Sequence, residues 1–288
     1  MRTLDLDFLR AFVAVVDHGG FTVAGEMLGR TQSAISMQIR KLEDSVGRKI
    51  LIRNRGDIQP TRDGELLLAR ARQMLSVHDD MMDELSGSAA EGRVRLGIPD
   101  DYAAVYLAPA LSRFAQTNPR IELEIQCAES REITDWVDRG ELAMGIVTHN
   151  PDNPGGVVVR SEEMVWVAAT GHRPEEMRPL PLALFGEQCL FRPFVFRTLK
   201  EAGVESRIVA TSTSLTGILS ICRAGIAVSP MARGTVPEDM RIVGTDAGLP
   251  QMPPVDIMLR ESPGGMTRAA KKLRDHLIAT LRDEPLAA

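Results

Sequence analysis

Residues 21 to 61 constrain the fold more than any other stretch of the chain. Phe21-Thr22-Val23-Ala24-Gly25-Glu26-Met27-Leu28 has the length of a short helix, Gly29-Arg30 breaks it, and Thr31-Gln32-Ser33-Ala34-Ile35-Ser36-Met37-Gln38-Ile39-Arg40 resumes a helix before a basic tail ending at Pro60-Thr61. Two short helices joined by a tight glycine turn, the second polar on one face and aliphatic on the other, meet the requirements of insertion into a DNA major groove.

The pattern around this unit is consistent with it. Leu6, Leu9, Phe12, Val13 and Val16 recur at helical spacing, so a first helix is expected over residues 5 to 18, with Asp5 or Thr3 at its N-cap. A second helix, opened by Thr22, would bury Val23, Ala24, Met27 and Leu28, and Gly29 would supply the turn. Thr31 can cap the third helix, whose inner stripe is Ile35, Ile39, Leu42 and Val46. Gln32, Ser33, Ser36, Met37 and Arg40 then occupy the outer face. Lys49 to Arg53 and Asp57 to Pro60 read as two strands around Asn54-Arg55-Gly56, a basic hairpin wing.

The chain has 288 residues, 44% of them hydrophobic, enough for two or three domains. Its formal net charge of -5 argues at first against a nucleic-acid partner. The average conceals a local excess: residues 30 to 62 hold eight basic and three acidic side chains, a net of +5. The first 30 residues carry Asp5, Asp7 and Asp17 within an amphipathic pattern, so they read as neither a secretion signal nor a membrane span, and the expected location is cytoplasmic. Cys127, Cys189 and Cys222 lack metal-ligand spacing and read as packed, reduced thiols, with a Cys189–Cys222 redox pair as the alternative. No metal and no cofactor is implied.

Leu67, Ala71, Met74, His78, Met81 and Leu85 alternate in steps of four and three, the seam of a dimerisation helix. His78 on that seam reads as a hydrogen-bonded residue ahead of a pH-sensitive element. Ser86 to Gly92 is small and polar, a hinge. Beyond it, strand-like segments at 93–98, 121–128 and 142–148 alternate with helical ones at 102–116 and 133–139, which implies an α/β domain with a parallel sheet. Residues 157–169 are long enough to cross into a second lobe. There, short strands are expected at 189–191, 207–211 and 226–229, with helices at 194–202 and 215–223. A late strand at 255–260 would return to the first lobe, before a final helix at 267–281.

Residues Leu6 to Gly64 resemble the winged helix-turn-helix of LysR-type transcriptional regulators. Gly20-Phe21-Thr22-Val23-Ala24, Thr31-Gln32-Ser33-Ala34-Ile35-Ser36, Ile39, Leu42-Glu43, Val46-Gly47 and Arg53 match that family's spacing without gaps. The chain departs from it at Leu51-Ile52, Pro60-Thr61 and Asp63-Gly64, where the family usually has Leu-Phe, Leu-Thr and Ala-Gly. A weaker likeness runs on to the C-terminus, and Pro99 to Tyr102, Pro181 to Phe185 and Cys189 to Arg192 are similar to a branch that includes repressors of motility and secreted enzymes.

The resemblance implies an N-terminal winged helix-turn-helix at 1–62, a linker helix at 63–86, a hinge at 87–92 and a two-lobed, periplasmic-binding-protein-like (type 2) effector domain at 93–288, with lobe I about 93–161 and 261–288 and lobe II about 162–260. It also implies a homodimer or dimer of dimers, a small-molecule effector in the cleft, and RNA polymerase as a further partner; no membrane is involved.

For double-stranded DNA, the candidates are Gln32, Ser33, Ser36 and Met37 at base edges, with Thr22, Arg30, Thr31, Arg40, Arg53 and Arg55 on phosphate or the minor groove. A dimer places two such helices roughly 34 Å apart, so the operator should be an imperfect inverted repeat. For the effector, the crevice beyond parallel strand ends selects Asp100, Asp101, Tyr102, Glu129, Ser130, Thr148 and His149 in one lobe. In the other it selects Phe191, Arg192, Thr211, Ser212, Thr213 and Ser229. Plain helix capping explains Asp100, Asp101, Ser130 and Ser212 equally well. Arg192 and the hydroxyls suit a carboxylate, whereas Asp100, Asp101 and Glu129 would repel one. A two-lobed binding protein or enzyme without a regulatory role is the competing reading; HExxH, GxSxG, P-loop and GxGxxG motifs are all absent from the sequence.

Overall fold

The computed structural model describes residues 3–54, 57–86 and 92–283. It divides into two compact units: residues 1–90 with 138–141 and 262–268, and the remainder, 91–137, 142–261 and 269–288. The hinge expected at 87–92 falls almost wholly outside the described residues.

In the first unit, α1 (Leu6–Asp17) starts where Asp5 accepts the backbone N–H of Asp7 at 2.8 Å, as expected of an acidic N-cap. α2 (Phe21–Met27) begins one residue before Thr22, with Gly20 as its cap. That phase buries Phe21, Ala24 and Gly25 and leaves Val23, Met27 and Leu28 exposed, so the expected apolar stripe is corrected at three of its four positions. Gly25 is required where α2 meets the turn: a Cβ there would lie 2.7 Å from the carbonyl oxygen of Arg30, whose own N–H donates to Gly25 O at 2.8 Å. Gly29 makes the turn at φ +62°.

α3 (Gln32–Val46) buries Ile35, Ile39 and Leu42 fully and Val46 partly against Leu9, Phe12 and Val15 of α1. One buried residue departs from the apolar pattern. Glu43 turns inward and accepts the Ile50 N–H at 3.2 Å and the Lys49 ammonium at 2.6 Å, which ties the end of α3 to the start of the wing. The wing is the antiparallel pair β1 (Leu51–Asn54) and β2 (Asp57–Pro60), in register from Leu51↔Pro60 to Asn54↔Asp57.

α4 (Arg62–Ser86) follows as a single 25-residue helix. Its first half packs into the same core through Leu68, Ala71 and Leu75. Ala71 is therefore spent inside its own unit, and Leu67 is half-buried there, which corrects the first half of the expected seam. Met74, Met81 and Leu85 are exposed, and Val77 extends them to an apolar stripe in steps of three, four and four. His78 faces α1: its Nδ1 lies 3.3 Å from Arg10 Nη2 and 3.1 Å from Asp79 Oδ1, beside an Arg10–Asp79 ion pair.

In the second unit, β3 (Gly92–Ile98), β4 (Ile121–Cys127), β5 (Met144–Thr148), β6 (Val157–Glu162) and β12 (Val255–Glu261) form a sheet ordered β4-β3-β5-β12-β6. β3 runs parallel to β4 and β5, but β12 is antiparallel to both β5 and β6. The sheet is thus mixed rather than parallel; the late strand returns to the first lobe as expected, which puts the lobe boundary before Val255 rather than near residue 260. Around it lie α5 (Asp100–Tyr102), a π-helical turn (Ala103–Leu107), α6 (Ala108–Thr117), α7 (Ser130–Asp138) and α10 (Arg268–Asp283).

The second lobe contains β7 (Met164–Ala169) between β10 (Ser229–Ala232) and β11 (Met240–Val243), all antiparallel. The parallel pair β8 (Leu180–Phe185) and β9 (Ser206–Ser212) joins it through a Leu182↔Val228 bridge. α8 (Arg192–Glu201) and α9 (Leu215–Arg223) cover the two faces, each over its own apolar core. The strand expected at 189–191 is a turn; the strand of that region is β8, which begins nine residues earlier and is interrupted in the sequence by Pro181. The stretch 157–169 does cross between lobes, as β6 in one sheet and β7 in the other. Among the described residues no helix is long and apolar enough to cross a membrane.

Candidate nucleic-acid interface and effector cleft

On α3, a core-facing stripe leaves the opposite face outward. Gln32, Ser33, Met37 and Arg40 are exposed and Ser36 is half-buried, so the expected base-reading set shares one surface. Met37, 61% exposed, is an apolar tip without a protein partner of its own unit's core. Thr31 accepts the Ala34 N–H at 3.2 Å and lies 3.0 Å from the Ser33 hydroxyl, so it fixes the start of the helix while remaining exposed. Thr22 and Arg30 are exposed at the neighbouring α2 and turn. Arg53 lies in β1, with its side chain outside the described residues, and Arg55 lies outside them altogether.

The cleft between the lobes of the second unit is held by polar contacts from both sides. Asp100 Oδ2 accepts the backbone N–H of Leu215 at 2.7 Å, so it caps α9 in the opposite lobe rather than only its own helix. Glu129 projects toward the loop after β8, where a Cβ on Gly186 would collide with its carboxylate at 2.2 Å. Burial raises the Glu129 pKa, although the amides of Gly186 and Gln188 favour its charge, and its Oε1 is buried without a hydrogen bond. At the crossover, the buried Glu162 accepts the Tyr106 hydroxyl at 2.7 Å and the Gly234 N–H at 3.3 Å, and pairs with Arg160.

A small cavity of about 50 Å³ lies in the cleft. Its polar lining is Asp101, Tyr102, Thr148, Cys189 and Arg192; Met164, Leu184, Val195, Met231 and Val255 are among its apolar walls. The Tyr102 hydroxyl lies 2.9 Å from Thr148 Oγ1, and burial drives its pKa well above the usual phenol value. Burial likewise pushes the Asp101 carboxyl up to about 6, against backbone amides that favour its charge. Phe191 lines the same cavity, and with Thr148 and Val255 it also lines a second one that His149 enters.

The other expected effector residues are placed differently. Ser130 is buried, its Oγ accepting the Thr148 N–H at 3.0 Å, so it stitches α7 to β5 and lies outside the cavity lining. Ser212 accepts the Ser214 N–H at 3.0 Å, a local turn, while Thr211 and Thr213 are exposed and outside the cavity lining. His149 sits with Nδ1 2.9 Å from Met258 Sδ, outside the main cavity. Ser229 is fully buried at the beginning of β10 rather than beyond its end, which removes it from the site; Pro230, Met231 and Ala232 take the lining positions.

The apolar walls had no sequence signal of their own, because β8 and β10 were not placed where they run. The cysteines are free: Cys222 is buried, Cys189 partly so, and Cys127 is exposed, contrary to the expectation that all three are packed. Burial pushes the Cys189 thiol up to about 11 and the Cys222 thiol to about 12. Among the described residues no cluster of His, Cys, Asp or Glu is fit to hold a metal.

Comparison with known proteins adds to this geometry. Residues 6–65 match the family model "Bacterial regulatory helix-turn-helix protein, lysR family", and residues 87–282 match "LysR substrate binding domain". The chain is 34% identical over 283 residues to the transcriptional regulator DgdR of Burkholderia cepacia, covering 97% of this chain and 95% of the relative. It is 28% identical over 260 residues to the regulator PecT of Dickeya dadantii, covering 90% and 82%. Among solved structures, ArgP from Mycobacterium tuberculosis aligns at a TM-score of 0.76 with 17% identity, covering 98% of each chain, a likeness of fold.

Proposed function

Because this chain belongs to the LysR family of DNA-binding transcriptional regulators, we propose that it reads a specific operator through the outer face of α3 and reports the occupancy of the cleft between its lobes. The observation that carries this reading is the outward polar face of α3, Gln32, Ser33, Ser36, Met37 and Arg40, on a helix whose opposite face is core. Glutamine and serine match donors and acceptors at base edges; Arg30 and Arg40 suit phosphate or guanine. The exposed stripe Met74, Val77, Met81 and Leu85 supports a homodimer through α4, and a dimer of dimers follows the same logic. Two α3 helices then face an imperfect inverted repeat in double-stranded DNA. The protein works in the cytoplasm without turnover of its ligand, and RNA polymerase is a further partner of the DNA-bound assembly.

The test is fluorescence anisotropy on a footprinted operator and on random duplex, as salt is varied. Arg30→Ala should weaken both duplexes alike and flatten the salt slope. Gln32→Ala should relax preference at particular base pairs, worth about 1–3 kcal/mol of discrimination. Equal losses on operator and random duplex for Gln32→Ala would remove it from base readout.

A further inference from the structure

The cleft's charges conflict in the sequence and cease to conflict in the fold. Asp100 is committed to the α9 amide of Leu215, and Glu129 lies against Gly186 of the loop after β8, outside the lining of the main cavity. That leaves two ionisable groups of opposite sign lining the main cavity, Asp101 at the start of α5 in the first lobe and Arg192 at the start of α8 in the second. Neither belongs to an ion pair among the described residues. Arg192 has one donor engaged, Nη1 to the Phe185 carbonyl at 3.1 Å, and its guanidinium lies 5.9 Å from the Phe196 ring. A guanidinium carries five N–H donors, so the fork keeps capacity for a carboxylate. It also feels the Glu129 charge without pairing with it. Asp101 has no cationic neighbour to offset its burial. Between them the walls are apolar.

We propose that the effector is a small zwitterion with an apolar body, its ammonium held by Asp101 and its carboxylate by Arg192, so that one molecule bridges the two lobes. This rests on the reading of the cavity as the effector site and names the chemical class that site selects. A cation alone would leave Arg192 unanswered, and an anion alone would leave Asp101 so. Tyr102 and Thr148, already hydrogen-bonded to each other, complete the polar end of the cavity near Asp101.

The experiment is calorimetry on the full chain with six probes, glycine, alanine, valine, leucine, methionine and phenylalanine, each beside its decarboxylated amine and its deaminated acid. At least one zwitterion should bind about ten-fold or more tightly than both of its singly charged analogues. Asp101→Asn should weaken the zwitterion and the amine but not the acid; Arg192→Gln should weaken the zwitterion and the acid but not the amine. Arg192→Lys should restore part of the loss. Failure of all six, or an amine or acid that matches its zwitterion, overturns the charge assignment. A zwitterion that binds Cys189→Trp, whose bulk fills the cavity, as well as the native chain would place the site elsewhere and remove the cavity reading itself. DNA binding and far-UV circular dichroism of each variant separate lost folding from lost ligand.

Discussion

The outer face of α3 and the cleft between the lobes both present polar side chains at helix starts, yet they use them in opposite ways. On α3, Gln32, Ser33 and Arg40 stay in solvent, because a helix whose inner stripe is core has its other face left over. In the cleft, Ser130 is taken by Thr148, Ser212 by Ser214 and Asp100 by Leu215. A polar residue at a strand end is therefore available to a ligand when it lines the cavity and keeps capacity beyond its protein partners. Asp101, beside its backbone amides, and Arg192, beside the Phe185 carbonyl, line it; Ser130, Ser212 and Asp100 do not.

That contrast breaks most readily at the buried side of α3. Leu42→Ala removes a fully buried side chain and should cost about 2–5 kcal/mol in chemical denaturation of the full chain. A loss below about 1 kcal/mol would mean the inner stripe does not hold the helix. Next is Asp101, whose carboxyl is raised from 3.8 to about 6 by burial. The folded state holds that proton more tightly than the unfolded one, so its favourable contribution is complete below about pH 4 and is lost as pH climbs to about 6. Asp101→Asn should consequently stabilise the ligand-free protein by about 1–3 kcal/mol at pH 7.5 relative to its effect at pH 4. A pH-independent difference in melting would contradict this.

A smaller change is expected at Asp100. Asp100→Ala strips the cap from α9 and should cost about 1 kcal/mol, with faster amide exchange at Leu215 and its following turn. Unchanged exchange there would show that Asp100 does not hold the lobes together. The smallest effect sharpens the comparison from the other side: Gln32→Ala should alter stability by less than about 0.5 kcal/mol, since nothing in the core depends on that side chain.

How far the sequence could be read follows the same division. Caps at Asp5 and Thr31, the turn at Gly29 and the inner stripe of α3 depend on neighbours within four residues, and the structure has them as expected. α2 slipped in phase because Phe21, outside the stripe assigned to it, is the residue its core takes. β8 was missed because Pro181 breaks a strand pattern, although a strand can carry a proline where its missing N–H is not needed. β12 belongs between β5 and β6, a pairing across about a hundred residues that no local period encodes. The outward residues of α3 were thus legible from one helix, whereas the cavity walls at Leu184 and Met231 required β8 and β10 to be placed first.

The outward face of α3 bears almost none of the cost of folding, since its helix is held from behind by Ile35, Ile39 and Leu42 and from its end by Thr31. Substitutions at Gln32, Ser33, Met37 and Arg40 can accumulate without unfolding the chain. The hydrogen-bonding character of that surface can therefore change one side chain at a time, while the helix behind it keeps its place.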